Sequence, residues 1–271
     1  MFNGGMVASL ISQKLAQIAV TAVSIMPPNW CLYLERAARE GQGKGWGAES
    51  TSAEVKACIS LLADRQISPL IAIDAGANVG NWTASLLEAS PNSLIFAFEP
   101  SDLAFTKLER RFYGQDQVVV VNAAVGASDG VSTLWTNEPG SGIASLTKRN
   151  LDHFNIEFSF AEEVAVFNLD AWVKCENVPT PHILKMDVEG HELEVLRGAA
   201  ELLESIHVVQ FEFGECNVSS RTYFQDFFHF FESKRFDLFR LSPHGLIPIR
   251  NYREEDETFL VTNYFARRRL E

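Results

Sequence analysis

Apolar and polar positions follow two alternating rhythms along most of the chain. From residue 70, short uninterrupted apolar runs alternate with longer stretches of helical period. "LIAID" (70–74), "SLIFAFEP" (93–100) and "QVVVVNAAV" (117–125) are apolar on both strand faces, as expected of parallel strands covered on both sides. Helices over 80–89 and 101–113 separate them. Strand–helix pairs in this order predict a parallel sheet with right-handed crossovers. The rhythm resumes with "HILKMDVEG" (182–190), the helix "HELEVLRGAAELLES" and the strand "HVVQFEF" (207–213). In "YFQDFFHFFESKRF", Phe224, Phe227, Phe228 and Phe231 fall at i, i+3, i+4 and i+7, a core-facing helical stripe. Two strand-like runs around a Pro-His-Gly turn, then an acidic loop, close the pattern.

Two regions depart from it. Across 131–170, "VSTLWTN" reads as a strand, "EPGSGIASLTKRN" as a loop, and "EEVAVFNLDAWV" as a returning strand that runs into a helix. A long loop inside a compact domain is usually functional or mobile, so 137–150, with Ser141 and Ser145, is a candidate lid or acceptor contact, or else an ordinary solvated loop. Residues 1–68 read as a helical extension ahead of a domain over 69–271, with a glycine-rich loop at "EGQGKGWGAES". Ile11, Leu15, Ile18, Ala22 and Ile25 form an amphipathic stripe ended by Pro27 and Pro28, expected to pack on the domain or on a second copy as a homodimer. Thr51 or Ser52 should cap a helix carrying Val55, Ile59, Leu61 and Leu62. The apolar N-terminal stretch is interrupted by Lys14 and Gln17, too short to span a bilayer, and lacks the flanks of a signal peptide.

Composition narrows the class. An apolar share of 46% and a charged share of 21% are those of a globular protein. The net charge of −12 disfavours nucleic acid as a substrate. Cys31, Cys58, Cys175 and Cys216 form no C-x-x-C pair. Reduced thiols in a cytoplasmic protein are the simplest reading.

The chemistry starts at "DAGANVG". A dinucleotide loop wants G-x-G-x-x-G so that backbone can approach a pyrophosphate. Here Asn78 stands at the middle glycine position, and Asp74 would repel phosphates. S-adenosylmethionine, with its sulfonium and ammonium, suits such a loop better. Gly76 and Gly80 would let its methionine part come close, and Glu99, ending the second strand, can accept hydrogen bonds from both ribose hydroxyls. A structural turn with an incidental acid is the competing reading.

"LKMDVEGHELEVLRGA" (184–199), "FNLDAWV" (167–173), "FAFEP", "NAAVGASDG" and "TNYFARR" complete the set. Together with "DAGANVG" they resemble the FkbM-type methyltransferases, a branch of the class I S-adenosylmethionine-dependent enzymes, over roughly 70–265. The resemblance implies a Rossmann-like α/β fold with a seven-stranded, mostly parallel sheet whose last strand is antiparallel. It implies the cofactor beside Asp74, Gly76, Ala77, Asn78, Gly80 and Asn81, the ribose on Glu99, and adenine near Asn122 and Ala123. It also implies O-methylation of a hydroxylated small molecule, sugar or glycan.

Methyl transfer needs alignment and a base for the hydroxyl proton. His191, Asp187, Glu189 and Glu212 follow strands four and five. His191 is the leading base, or else simply the first residue of a helix; Asp187 would orient it or contact the cofactor. Glu189 reads equally as a carboxylate favoured by a helix dipole. Asp187, Glu189 and Glu212 could instead hold Mg²⁺, a less favoured account. Lys185, inside an apolar strand, should pair with a buried acid. A nicotinamide-dependent oxidoreductase and a non-catalytic cofactor-binding protein are the two alternatives from other classes.

Overall fold

The structure is a computed structural model, and it describes residues 4–46, 51–65 and 67–270. Helices α1 (Gly4–Ser24), α2 (Pro28–Gly41) and α3 (Thr51–Ser60) lead into an α/β body. That body runs β1 (Ile71–Ala75), α4 (Asn81–Ala89), β2 (Leu94–Phe98), α5 (Asp102–Arg111) and β3 (Val118–Val121). After an excursion through β4 (Ala124–Gly126), β5 (Gly130–Thr136), β6 (Phe160–Asn168) and α6 (Leu169–Cys175), the alternation returns. It continues as β7 (Ile183–Met186), α7 (Glu192–Gly198), β8 (Val208–Phe213), α8 (Cys216–Ser220) and α9 (Phe224–Ser233). Strands β9 (Phe236–Ser242), β10 (Gly245–Ile249) and β11 (Thr262–Arg268) close the chain.

The main sheet has eight strands in the order β10-β9-β11-β8-β7-β1-β2-β3. Strands β3, β2, β1, β7 and β8 run parallel, and the last strand, β11, is inserted antiparallel between β8 and β9. This is the Rossmann-like class I methyltransferase arrangement. One strand more than expected is present because the Pro-His-Gly turn folds β10 back onto β9 as an edge hairpin. Pro248 is tolerated there because an edge strand need not donate on both sides.

The expected third strand, 117–125, is in fact two. β3 stays in the main sheet, while β4 leaves it to pair in parallel with β6 in a separate three-stranded sheet, β4-β6-β5. The core lies on both faces of the main sheet. On one face Phe211 stacks between Phe227 and Phe231, with ring centroids 4.9 and 5.2 Å away. All four phenylalanines of the α9 stripe are buried. On the other face Val55, Cys58, Leu61 and Leu62 of the α3 segment pack with Ala72, Trp82 and Leu86. The helix α3 is therefore part of this core. It begins at Thr51 itself, so Thr51 and Ser52 are helical residues; the position preceding Thr51 lies outside the described residues.

The first two helices behave differently. Ile18, Ile25, Trp30 and Tyr33 are all exposed, and α2 buries nothing. The expected stripe thus does not pack on the domain at Ile18, Ala22 or Ile25, all exposed; the side chains of Ile11 and Leu15 lie outside the described residues. Among the described residues, no helix is long and apolar enough to cross a membrane.

Candidate functional site

Strand order reverses at β1, which has β2 on one side and β7 on the other. A crevice opens at the carboxyl ends of strands flanking such a point. Its floor begins with a buried ion pair. Asp74 is fully buried and lies 3.0 Å from Lys185 Nζ, and Thr83 Oγ1 donates to its other oxygen at 2.7 Å. Lys185 Nζ also donates to the carbonyl of Gly76 at 2.9 Å. Burial opposes the lysine's charge, but Asp74 and Asp187 outweigh it and hold Lys185 above its ordinary pKa. The pairing expected of Lys185 is present. Asp74 itself is sealed under the loop and does not line the crevice.

The glycine loop is shaped by what lies behind it. Gly76 has φ +74°, and a Cβ there would stand 1.9 Å from the carbonyl oxygen of Asp187. Only glycine allows this approach of the β1 and β7 loops. Gly80 meets the ring of Phe112 and so packs toward α5, away from the crevice. Ala77 is buried in the same small core. Asn81 Oδ1 accepts from Arg111 at 2.7 Å on the outer surface. Asn78 does face the crevice, and its N–H donates to Glu99 Oε2 at 2.8 Å. Glu99 Oε1 accepts from the Ser101 N–H at 2.9 Å. Burial pushes the Glu99 carboxyl up to about 7, against the two backbone donors.

Beyond Glu99 the wall turns apolar, with Pro100, Ala124, Val125 and Leu134. These take the place expected for Asn122 and Ala123. Ala123 is fully buried, and Asn122 is exposed, its amide donating to the carbonyls of Glu99 and Pro100. The departure of β4 into the second sheet explains the shift, because it carries Ala124 and Val125 into the crevice wall.

Asp187, Glu189 and His191 form the opposite wall. Glu189 has φ +53° and is pushed up to about 8 by burial and by Asp187, against Arg149. Its Oε2 accepts from Arg149 Nη1 at 2.7 Å. Arg149 is 3% exposed and reaches Glu215 as well, at 3.3 Å. Ser145 Oγ donates to the Glu189 carbonyl at 2.7 Å. The loop 137–150 is thus tied down at Ser145 and Arg149, while Ser141 lines the crevice.

Glu212, at the end of β8, brings a carboxylate oxygen within 4.8 Å of those of Asp187 and Glu189. Burial and these two neighbours hold its pKa well above the ordinary range. His191 Nδ1 is buried with no partner, and burial lowers the ring's pKa. A neutral imidazole lining the crevice is equipped to accept a proton. His191 also starts α7, its carbonyl accepting from Glu194 and Val195. Next to it, the fully buried Glu192 accepts from the Val188 and Gly190 N–H groups and shapes the loop.

Arg149, Glu192, Leu134 and the Ala124–Val125 pair are site residues that sequence reasoning missed. The signal for Arg149 was available: a cation in a loop facing an acid-rich motif. For Leu134, only the strand alternation of β5 pointed inward.

Residues 74–238 match the methyltransferase FkbM domain. Among characterised relatives, a hexuronic acid methyltransferase of Haloferax volcanii is 29% identical over 50% of this chain and 52% of that protein. A protein named methyltransferase 1 of Beauveria bassiana is 27% identical over 46% of this chain and 57% of its own length. A 2-O-methyltransferase of Sinorhizobium fredii is 24% identical over 58% and 70%. The chain spans about half the length of the first two relatives. The match covers the glycine loop, the Glu99 strand, the second sheet and the Asp187–His191 wall in one continuous stretch. With that coverage and this topology, the chain belongs to the FkbM methyltransferase family of S-adenosylmethionine-dependent enzymes.

Proposed function

We propose that the protein transfers the methyl group of S-adenosylmethionine to a hydroxyl oxygen of a sugar, a glycan or a glycosylated natural product. The observation that carries this reading is the facing of two unlike walls across one crevice. One wall offers Asn78 and Glu99, and the other offers Asp187 and the neutral His191. The cofactor-side residues fit the ligand. Each Glu99 oxygen accepts one backbone N–H and keeps a lone pair for a ribose hydroxyl. The apolar wall at Val125 and Leu134 suits a flat, uncharged adenine.

When bound, S-adenosylmethionine supplies an electrophilic methyl on a sulfonium. The chain's own share is orientation and proton removal. The His191 ring, which lines the crevice, accepts the proton of the acceptor hydroxyl, with Asp187 on the same wall to hold the alcohol or the imidazolium. Arg149 keeps Glu189 in place, so the wall holds its shape while charge moves. The names of two relatives, one acting on a hexuronic acid and one a 2-O-methyltransferase, support a sugar hydroxyl as acceptor. Cytoplasmic residence goes with this reading and agrees with four free cysteines; cell fractionation checks it.

A second reading has an observation of its own. Asp187, Glu189 and Glu212 offer three carboxylate oxygens within 4.8 Å, a hard-ligand set suited to Mg²⁺, which would lower the pKa of a vicinal diol.

Calorimetry with S-adenosylmethionine, S-adenosylhomocysteine and NADH, with and without Mg²⁺, tests both readings. Binding of the two adenosyl ligands and their loss in Glu99→Ala is expected. Tritiated methyl transfer to methyl glucuronoside then tests the acceptor. Turnover abolished by EDTA and restored by Mg²⁺ selects the metal-assisted form. NADH binding in place of both adenosyl ligands overturns the proposal, and cofactor binding without turnover on any hydroxylated acceptor favours a non-catalytic role.

A further inference from the structure

The helix α3 precedes the stretch that matches the family, residues 74–238, yet it reaches the crevice floor. Glu54 lies in its first turn. Gln210 Nε2 donates to Glu54 Oε2 at 2.7 Å and to Asn263 Oδ1 at 3.4 Å. On the other side of the same amide, Trp82 Nε1 donates to Gln210 Oε1 at 2.9 Å. An indole N–H can only donate, so the amide oxygen must face Trp82 and the amide nitrogen must face an acceptor. Glu54 is the nearer of its two acceptors. Gln210 is 1% exposed, so without Glu54 its amide nitrogen would keep only the longer bond to Asn263 and find no water in place of the shorter one.

Gln210 and Glu212 project from the same face of β8, two positions apart. The backbone of Glu212 pairs with Asn263 on β11, the residue whose side chain accepts from Gln210. The charged groups around Glu54 are Asp74 from β1, Lys185 from β7, and Asp187 just beyond it. All belong to the floor and wall described above.

We propose that Glu54 is a positioning residue for methyl transfer. By fixing the Gln210 amide, it sets the carboxyl end of β8 and with it the place of Glu212 against Asp187 and Glu189. The inference rests on the reading of this crevice as a methyl-transfer site. Burial also pushes the Glu54 carboxyl up to about 7, which agrees with a role as hydrogen-bond acceptor more than as a fixed charge.

The test uses the full chain with Glu54→Ala and Glu54→Gln. The Trp82 indole ¹H–¹⁵N peak, assigned with Trp82→Phe, reads the Gln210 amide directly. Affinity for S-adenosylhomocysteine reads the cofactor side, and tritiated transfer to methyl glucuronoside reads the reaction. For Glu54→Ala the indole peak moves, the S-adenosylhomocysteine affinity stays within about twofold, and kcat falls roughly tenfold or more with KM for S-adenosylmethionine unchanged. Glu54→Gln keeps an acceptor oxygen and retains kcat within about threefold. Wild-type kcat in Glu54→Ala, or equal loss in both variants, overturns the proposal. So does loss of cofactor affinity in step with kcat, which would mark damage to the fold. If the unmodified protein methylates no acceptor, the functional reading fails; an unmoved indole peak sinks the positioning role alone.

Discussion

Replacing Lys185 with methionine probes the floor of the site most directly. The side chains of Lys185 and Asp74 are 6% and 0% exposed, and they stand 3.0 Å apart. Methionine fills the same space but strands Asp74 with only the Thr83 hydroxyl for company. Removing one member of a buried pair costs about 3–5 kcal/mol, because the remaining charge is neither solvated nor matched. The lost bond to the Gly76 carbonyl adds about 1 kcal/mol. At roughly 2–4 °C per kcal/mol for a domain of this size, the melting temperature should fall by about 8–24 °C.

The control is the double variant Asp74→Asn/Lys185→Met. It removes both charges, and the introduced amide still offers an oxygen to Thr83. It should recover all but about 1–2 kcal/mol, since a buried pair exchanged for neutral groups is often close to neutral. Urea unfolding followed by circular dichroism, with the slope held constant across variants, gives the free energies. A single variant within about 1 kcal/mol of wild type would refute the reasoning. So would a double variant no more stable than the single.

Further outcomes follow from the same geometry. Glu99→Gln sets an amide N–H₂ against a backbone N–H and should weaken S-adenosylhomocysteine binding by about 10–100-fold in calorimetry; unchanged affinity would remove Glu99 from the cofactor site. His191→Asn should lower kcat by about 10²–10⁴-fold while cofactor affinity holds, and an unaltered kcat returns His191 to its helix-starting role alone. Glu54, Glu99 and Glu192 have folded-state pKa values raised to about 7, so the folded state binds more protons than the unfolded one between about pH 4.5 and 7. Stability from these groups is fully present at low pH and lost as pH rises through 7; the lowered pKa values of His182, His191 and His207 oppose this below pH 6.5. Thermal scans of the ligand-free protein should therefore show a melting temperature falling from pH 6.5 to 8, and a rise would contradict the burial of these acids. Removal of residues 1–41 should leave the melting temperature nearly unchanged, because α2 and the described side chains of α1 are not buried, whereas removal through residue 62 should prevent folding by stripping Val55, Cys58, Leu61 and Leu62 from the core.

The parallel half of the sheet was legible because apolar runs covered on both faces have few alternatives, and the α9 stripe because four phenylalanines at helical spacing leave no other face to bury. The split of "QVVVVNAAV" was not legible. Its apolar pattern continues across Asn122, and only pairing with β6, far along the chain, draws Ala124 away from the main sheet. Site residues divide in the same way. Asn78, Glu99, Asp187, Glu189 and His191 face the crevice because their motifs sit at strand ends, where topology fixes direction. Asp74 and Gly80 belong to equally good motifs, but they serve the packing beneath the loop. Their partners, Lys185 and Phe112, are set by tertiary contact and not by local spacing. Glu54 lies outside any motif, and only the fold of α3 over β8 brings it to the site.

The second sheet has a bearing on how such a protein can change its preferences. β4-β6-β5 holds to the rest of the chain mainly at the short β4 segment and at α7, where Gly198 lies so near Gly126 that a Cβ would stand 2.0 Å from its carbonyl oxygen. The loop it frames touches the crevice at Ser141, Gly142, Ala144 and Leu146, while β4 and β5 themselves supply Ala124, Val125 and Leu134 beside the Glu99 end. Variation in sequence around Ser141 and Ala144 can therefore retune the acceptor side of the crevice, provided Gly142 beside Asn78 and the Ser145 and Arg149 ties to Glu189 are kept. Exchange of the 137–150 segment between family members, with Gly142, Ser145 and Arg149 retained, should transfer acceptor choice while leaving affinity for S-adenosylmethionine as it was.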